Sequence, residues 1–389
     1  MRDVAVVGAG MVDFGALYDQ STDDLVEEAF LAAVDSVDRG LDRDAIETAW
    51  FGTFDIAGNA ASGVGLAHPT ALFGVPVTRV ENACATGSTA FRNAVLEVKS
   101  GGADVALVVG VEKMHEDPEG LIGRTVLKDL WRRRGLSMPG FFGLRAQRHM
   151  HEYGTTREQI AEVSVKNHAN GSKYPHAHQQ FTCDVDEVVD SPTVSDPLTL
   201  YDCCPVTDGA AALLVASEST AREYTDDPVW VAGSGLSTDS ILRDEDASLV
   251  GFPASQQAAE QAYEEAGVGP DDLDVVELHD CFTITELITY EDLGFCDRGE
   301  GGAFIDDGRS ELDGELPVNP SGGLLSKGHP IGATGVAQMV EIYEQLRGTA
   351  GPVQVDNDPS IGLQHNIGLG RNATGSVSCV NVLSRDRPS

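Results

Sequence analysis

The stretches ENACATGSTAFRNA (residues 81–94) and SKGHPIGATGVAQM (326–339) carry one signature: an irregular loop, the tripeptide Ala-Thr-Gly, then an amphipathic run. The first run, from Ala85-Thr86-Gly87 to about Lys99, closes on Gly101-Gly102; the second, from Ala333-Thr334-Gly335 to about Arg347, closes on Gly348. Apolar residues at a helical period that stop on glycine predict two equivalent helices. Working outward, the same elements flank both. DVAVVGAG (3–10) reads as a buried strand, Thr22 to Asp38 as a helix opened by Ser21-Thr22, and IETAWFGTF (46–54) as a second strand. In the other half DPVWVAGSG (227–235), a helix over roughly 254–266 and DDLDVVELHDCF (271–282) repeat that order, with Gly233-Ser234-Gly235 answering Gly8-Ala9-Gly10. A β-like segment follows each Ala-Thr-Gly helix, ADVALVVGVEKM (103–114) and then GSVSCVNVL (375–383).

The repeat predicts an α/β fold of two similar units with mixed sheets. Its halves are 1–114, completed by 206–227, and 228–389; the intervening 115–205 breaks the pattern and reads as an inserted lid or substrate-binding region.

Composition narrows the function classes. The 389 residues are 41% hydrophobic, enough for a large core, and carry 62 acidic against 26 basic residues, a formal net charge of −36. Such a surface repels nucleic acid and, at low ionic strength, itself. It fits a halophilic cytosol, where molar salt shortens the screening length to about 3 Å. Seven cysteines without CxxC spacing argue against a disulfide framework or a zinc motif and for a reducing, cytoplasmic setting. The N-terminus has no signal-peptide layout, and no apolar run approaches membrane-spanning length.

Four segments hold candidate chemistry. Cys84 sits where the strand-like VPVTRV (75–80) gives way to a helix. A thiol at a helix N-terminus faces the positive end of the dipole, which favours thiolate and suits a covalent nucleophile; the bland alternative is a small core residue. His329 lies in NPSGGLLSKGHPIGATGVAQ (319–338), whose five glycines and two prolines would fix an imidazole as a general base, at the place in the second half that Cys84 occupies in the first. His279 and Cys281 end an apolar strand, a ligand-facing position. His365 and Asn366, in IGLQHNIGLGRNATG, read as a glycine-rich polar turn able to supply oxyanion donors. VVGAGMVDFG lacks the third glycine of a dinucleotide fingerprint, and HMH (149–151) and HAH (176–178) lack partners for a metal.

Taken together, ENACATGSTA, HDCF (279–282), GHPIGATG and QHNIGLG resemble the thiolase superfamily, specifically its archaeal and sterol-carrier-protein-type members. SVKNHANG (164–171) and DCCPVTDGAAALLV (202–215) are similar to that family's loop region, and the resemblance spans nearly the whole chain. It implies a duplicated, layered αβαβα fold with five-stranded mixed sheets, a homodimer or homotetramer, acyl-CoA or CoA as ligand and no resident cofactor. Cys84 matches the acyl-carrying nucleophile and His329 the histidine that activates it. His279 stands where other thiolases have an asparagine that orders an oxyanion-hole water, and Cys281 takes the second acid/base role. Asn366 falls where those enzymes carry that second cysteine, Gly368 would lend a backbone N–H to the other oxyanion hole, and His365 is the alternative acid/base. A broader 3-ketoacyl-CoA thiolase, a silent scaffold and a ketoacyl synthase are the neighbouring readings; HDCF with GHPIGATG speaks against the last.

Because CoA is polyanionic, basic residues should gather around it. The insertion offers Arg124, Arg132, Arg133, Arg134, Arg145, Arg148, Lys166 and Lys173, with Ser326 from the histidine loop; the alternative is a solvated charge cluster. Archaeal relatives associate with a hydroxymethylglutaryl-CoA synthase and a small OB-fold protein, so such a complex is a possible partner set. Neither nucleic acid nor membrane is expected as a partner.

The charge excess generates a direct test. Thermal melting followed by circular dichroism should move upward between low-salt buffer and molar KCl, since screening removes self-repulsion. A melting temperature flat across that range would sink the halophilic inference.

Overall fold

Helices can press against a sheet only as closely as the strand's side chains permit, and in this protein glycine sets that distance. The structure is a computed structural model describing residues 2–54, 62–116, 134–240, 249–369 and 375–388. In β1 (Val4–Met11) a Cβ on Gly8 would lie 2.5 Å from the Ala33 carbonyl oxygen, and one on Gly10 would lie 2.6 Å from Ala32, both on helix Thr22–Asp35. In the second half a Cβ on Gly235 would lie 2.8 Å from the Ala258 backbone of helix Pro253–Ala266. The two glycine pairs are therefore helix-packing sites, which accounts for the broken dinucleotide fingerprint.

The remaining strands are β2 (Thr48–Gly52), β3 (Val77–Val80), β4 (Val105–Glu112), the short pair β5 (Thr193–Ser195) and β6 (Leu198–Thr199), β7 (Gly209–Ser217), β8 (Val229–Ser240), β9 (Val275–Glu277), β10 (Ile361–Leu369) and β11 (Gly375–Ser384). β4 and β7 are buried along their whole lengths, which their near-continuous apolar runs require. Among the described residues nine strands form one sheet in the order β3-β2-β4-β7-β1-β8-β11-β10-β9. The expected five-stranded sheets are thus joined: β1 meets β8 only through Ala5–Trp230 and Val6–Val229. Either side of that seam the pairing repeats. β2 is parallel to β3 and β4, and β4–β7 and β7–β1 are antiparallel. Correspondingly β9 is parallel to β10 and, through a single Val276–Val318 bridge, to the chain leading into the His329 loop, while β10–β11 and β11–β8 are antiparallel.

This register corrects two sequence assignments. The strand that answers β4 is β10, and 375–383 answers β7. IGLQHNIGL, read as a polar turn, is a strand with its central residues buried, because neighbours on both faces take up its polar side chains. The fold class stands: helix Thr86–Ser100 packs on β2 and β4, and helix Ile331–Arg347 contacts strands of both halves, while Thr22–Asp35 and Pro253–Ala266 cover the outer faces. In the insertion, helix Arg157–Gly171 packs against Thr283–Asp292, Gly301–Asp306 and Gly323–Ser326, so it props the second half.

The two Ala-Thr-Gly helices touch at their first turns. A Cβ on Gly87 would lie 2.8 Å from the Gly332 oxygen, and one on Gly335 would lie 2.5 Å from the Ser88 nitrogen. Gly335→Ala should therefore lower stability by about 1–3 kcal/mol, the usual cost of overpacking, against the slight gain expected from alanine in a helix. The denaturant midpoint checks it, and an unchanged or raised midpoint would show that the facing helix yields.

Candidate active site

Cys84 stands two residues before its helix, in a turn that the sequence folds under strain. Ala83 has φ of +50°, a left-handed conformation that costs a non-glycine residue on the order of 1 kcal/mol. Thr86 braces the turn: its Oγ1 accepts from the Asn82 N–H at 2.8 Å and donates to the Ala83 carbonyl at 2.5 Å. Gly368 on β10 lies against this turn, and a Cβ there would be 3.1 Å from the Cys84 nitrogen.

The histidine loop is held by two buried carboxylates. Asp280 of the HDCF segment accepts from the Leu324 and Leu325 N–H groups at 2.7 and 3.3 Å, fixing the short turn of helix that leads to His329. Glu112, at the end of β4, accepts from the Phe54 N–H at 2.8 Å and the Gly332 N–H at 3.0 Å, tying the first half to the helix start behind His329. Thr334 donates to the Pro330 carbonyl at 2.9 Å, so its oxygen is left to accept from His329 Nδ1 at 2.7 Å. That sets the tautomer: Nδ1 carries the proton, and Nε2 presents a lone pair with no hydrogen-bond partner among the described residues.

HDCF brings the third group. His279 packs edge-on against His329 with ring centroids 5.0 Å apart, and the ligand atoms of Cys84, His279 and His329 all lie within 4.8 Å of one another. Asn366 is beside them, its Nδ2 donating to Gln338 Oε1 at 2.6 Å and lying 3.5 Å from His279 Nδ1, while its Oδ1 accepts from Ser88. Cys281 is buried, its Sγ 3.9 Å from Thr285 Oγ1, and the Cys204 N–H donates to its carbonyl at 3.1 Å.

Burial governs the charge state. It pushes the Cys84 thiol up to about 12, with Glu112 and Glu81 adding to the effect and a backbone hydrogen bond opposing it. Desolvation and a nearby carboxylate therefore oppose the dipole-stabilised thiolate expected from the helix terminus, although Cys84 is only half-buried. His329 is driven down to about 3 by burial and by Lys327, and His279 well below its ordinary value by burial and its two histidine neighbours. Cys281 is raised well above the ordinary thiol range by burial, Cys204 and Cys84. At rest the site holds neutral thiols beside neutral imidazoles.

Other candidates fall elsewhere. His365 alternates with Asn366 along β10 and bonds Ser255 Oγ at 2.9 Å on the outer helix, while its charge would still be felt at His279. Arg145 is buried between Phe141 and Phe252 and donates to the Leu249 and Gly251 carbonyls; Lys166 is buried 2.9 Å from Glu286; Ser326 is buried and donates to the Gln179 carbonyl. All three are committed to the interior and cannot meet a solvent-borne phosphate. Arg134, Arg148, which is paired with Glu152, and Lys173 do face solvent. Arg124, Arg132 and Arg133 lie outside the described residues. His149 is buried between Thr155 and Glu291, which accounts for HMH, and His176 and His178 of HAH pair with Asp13 and Thr207. Sequence reasoning missed Glu112, Cys204 and the Ser88–Gln338–Gln364 contacts; the polar Gln338 within an otherwise buried apolar helix was the readable signal.

Comparison with known proteins identifies the family. Residues 4–219 match the family model Thiolase, N-terminal domain, and 233–385 match Thiolase C-terminal domain-like. The chain is 42% identical to the acetyl-CoA acetyltransferase of Methanothermobacter thermautotrophicus, over 99% of this chain and 100% of that protein. It is 40% identical to human sterol carrier protein 2, over 95% of this chain and 70% of that protein. The Ltp2-ChsH2(DUF35) aldolase superposes with a TM-score of 0.84 at 26% identity, covering 98% of this chain and 97% of that one. Human mitochondrial 3-ketoacyl-CoA thiolase gives 0.74 at 19%, covering 98% and 99%. Fold and relatives together define an enzyme of the acyltransferase class. The chain belongs to the thiolase family. No helix among the described residues is long and apolar enough to cross a membrane.

The charge state yields a prediction independent of substrate. Labelling of Cys84 by iodoacetamide, followed by peptide mass spectrometry, should keep rising about tenfold per pH unit up to pH 10, because the thiolate remains a minor form below a value of about 12. A plateau below pH 8 would reveal a stabilised thiolate and overturn the assignment.

Proposed function

We propose that the chain condenses two acetyl-CoA molecules to acetoacetyl-CoA and CoA, and runs the reverse thiolysis, through an acyl group carried on Cys84. The observation that carries this reading is the convergence of His329 Nε2, which has no hydrogen-bond partner among the described residues, with the Cys84 sulfur and His279. The identity with acetyl-CoA acetyltransferases supports the substrate.

In the first half-reaction His329 Nε2, whose lone pair is free to accept, takes the Cys84 proton as the sulfur attacks the thioester carbonyl. Gly368, which lies against the Cys84 turn, lends its N–H to the oxyanion in this reading. Cys281 gives its proton to the departing CoA sulfur. Its thiolate, made strongly basic by burial, then removes a Cα proton from the second acetyl-CoA while His279 holds the enolate oxygen. The enolate attacks the acyl carbonyl, and Cys84 leaves and recovers its proton from His329, so every proton is returned. Asn366 positions His279. CoA thioesters enter as substrates without a resident cofactor, and among the described residues Arg134, Arg148 and Lys173 are exposed cations of the insertion that could meet their phosphates. A homodimer or homotetramer belongs to the proposal, as does a hydroxymethylglutaryl-CoA synthase partner; a small second protein is supported by the DUF35 component named with the structural neighbour.

Brief exposure to acetyl-CoA should leave an acetyl group on Cys84, detected by mass spectrometry. Cys281→Ala should still accumulate it, because CoA can depart as its thiolate, while its condensation rate falls by about 10²-fold or more, the scale of a lost acid/base group. An adduct elsewhere with Cys84→Ala active, or normal condensation by Cys281→Ala, would refute the assignment.

A further inference from the structure

Cys84, His279 and His329 place one soft sulfur and two imidazole nitrogens within 4.8 Å of one another, and among the described residues no other trio of His, Cys, Asp or Glu donors converges in this way. A tetrahedral zinc site with Zn–S of about 2.3 Å and Zn–N of about 2.0 Å has its ligand atoms about 3.3–3.8 Å apart. The trio therefore needs to draw in by up to about 1.5 Å to close on the metal. The supporting contacts already suit a metal: the Thr334 oxygen holds His329 Nδ1–H, aiming the Nε2 lone pair inward as an outer partner of a zinc-bound histidine does. The buried Glu112 carboxylate, close enough to influence Cys84, adds negative charge beside the thiolate, against the opposing charge of Lys327. Three protein donors and an open fourth position form a site that water can complete.

We propose that this trio is a soft-metal site, at which Zn²⁺ binds Cys84 Sγ and the two imidazoles and reversibly blocks the thiol. On binding, the Cys84 S–H bond breaks, an S–Zn bond forms and the proton leaves to solvent, so no oxidant or reductant takes part. The inference rests on the geometry of the trio and not on the reaction assigned to it. With asparagine at 279 one imidazole is lost, so His279 is what makes the pocket a chelate.

The test uses the metal-free full chain. One equivalent of Zn²⁺ should bind in competition with a chromophoric chelator, and Co²⁺ should give a thiolate-to-cobalt charge-transfer band. Zn²⁺ should protect Cys84 from iodoacetamide but leave half-buried Cys183 labelled at its own rate, and a chelator should restore Cys84 labelling. Cys84→Ser should abolish the band, His279→Asn should weaken binding at least about tenfold, and His176→Asn should match the parent. No band, or Cys84 labelling unaffected by Zn²⁺, would overturn the proposal. The labelling arm needs no variant, so it decides even if a substituted chain misfolds. Acetyl-enzyme formation on the metal-free chain is scored separately and reports only on the proposed reaction.

Discussion

Helices Thr86–Ser100 and Ile331–Arg347 meet backbone to backbone at their first turns, and the reacting side chains hang from the loops that lead into that contact. A side chain at Gly87 or Gly335 would separate the helices by pressing on the Gly332 oxygen or the Ser88 nitrogen. Separation would carry Cys84 away from His329, since each is only a few residues upstream of its glycine. Gly110, at the end of β4, extends the same constraint: its Cβ would lie 2.8 Å from Ala333 Cα. Duplication supplies two equivalent helix starts, and the absence of Cβ atoms lets them converge on one pocket.

What holds the loops once they converge is a set of buried charges that have partners. Lys166 pairs with Glu286, which also accepts from Asn167 and Asn319, and Asn167 in turn donates to Asp280. Burial and the neighbouring Glu286 raise the Asp280 carboxyl, and the Leu324 and Leu325 N–H groups oppose that shift. Lys327, two residues before His329, pairs with Glu341 at 2.6 Å. Removing one member of such a group leaves an uncompensated charge inside, which is far more damaging than losing an exposed pair. The insertion therefore does more than cover the site. Through Lys166 and Asn167 it fixes the loop that aims His329.

Much of the fold was legible because duplication doubles every weak signal: Gly-Ala-Gly against Gly-Ser-Gly, and Ala-Thr-Gly against Ala-Thr-Gly, each land on equivalent elements. The seam between β1 and β8 was not, since two residue pairs leave no periodicity to read. β10 was misread because Gln364, His365 and Asn366 are polar in a buried strand, and only tertiary neighbours (Ser88, Gln338 and Ser255) can satisfy them. The identities of Cys84, His329, His279 and Cys281 came from local motifs, but their protonation states did not. A helix N-terminus is visible in sequence; enclosure of the thiol and the approach of Glu112 from another strand are not.

Burial also changes the meaning of the basic residues. Of only six lysines, Lys166 and Lys327 lie wholly inside, and Arg145 is spent on carbonyls and aromatic faces. The insertion's apparent wealth of cations is therefore partly interior, and the solvent-facing surface is poorer in positive charge than its sequence suggests. A polyanionic thioester approaching that surface is repelled over any distance at which the charges are unscreened. Molar salt confines that repulsion to about 3 Å while leaving contact pairs and buried hydrogen bonds almost untouched. The same screening that would relieve the fold's self-repulsion would thus open the approach to the pocket, so stability and access to the site are set by one physical variable.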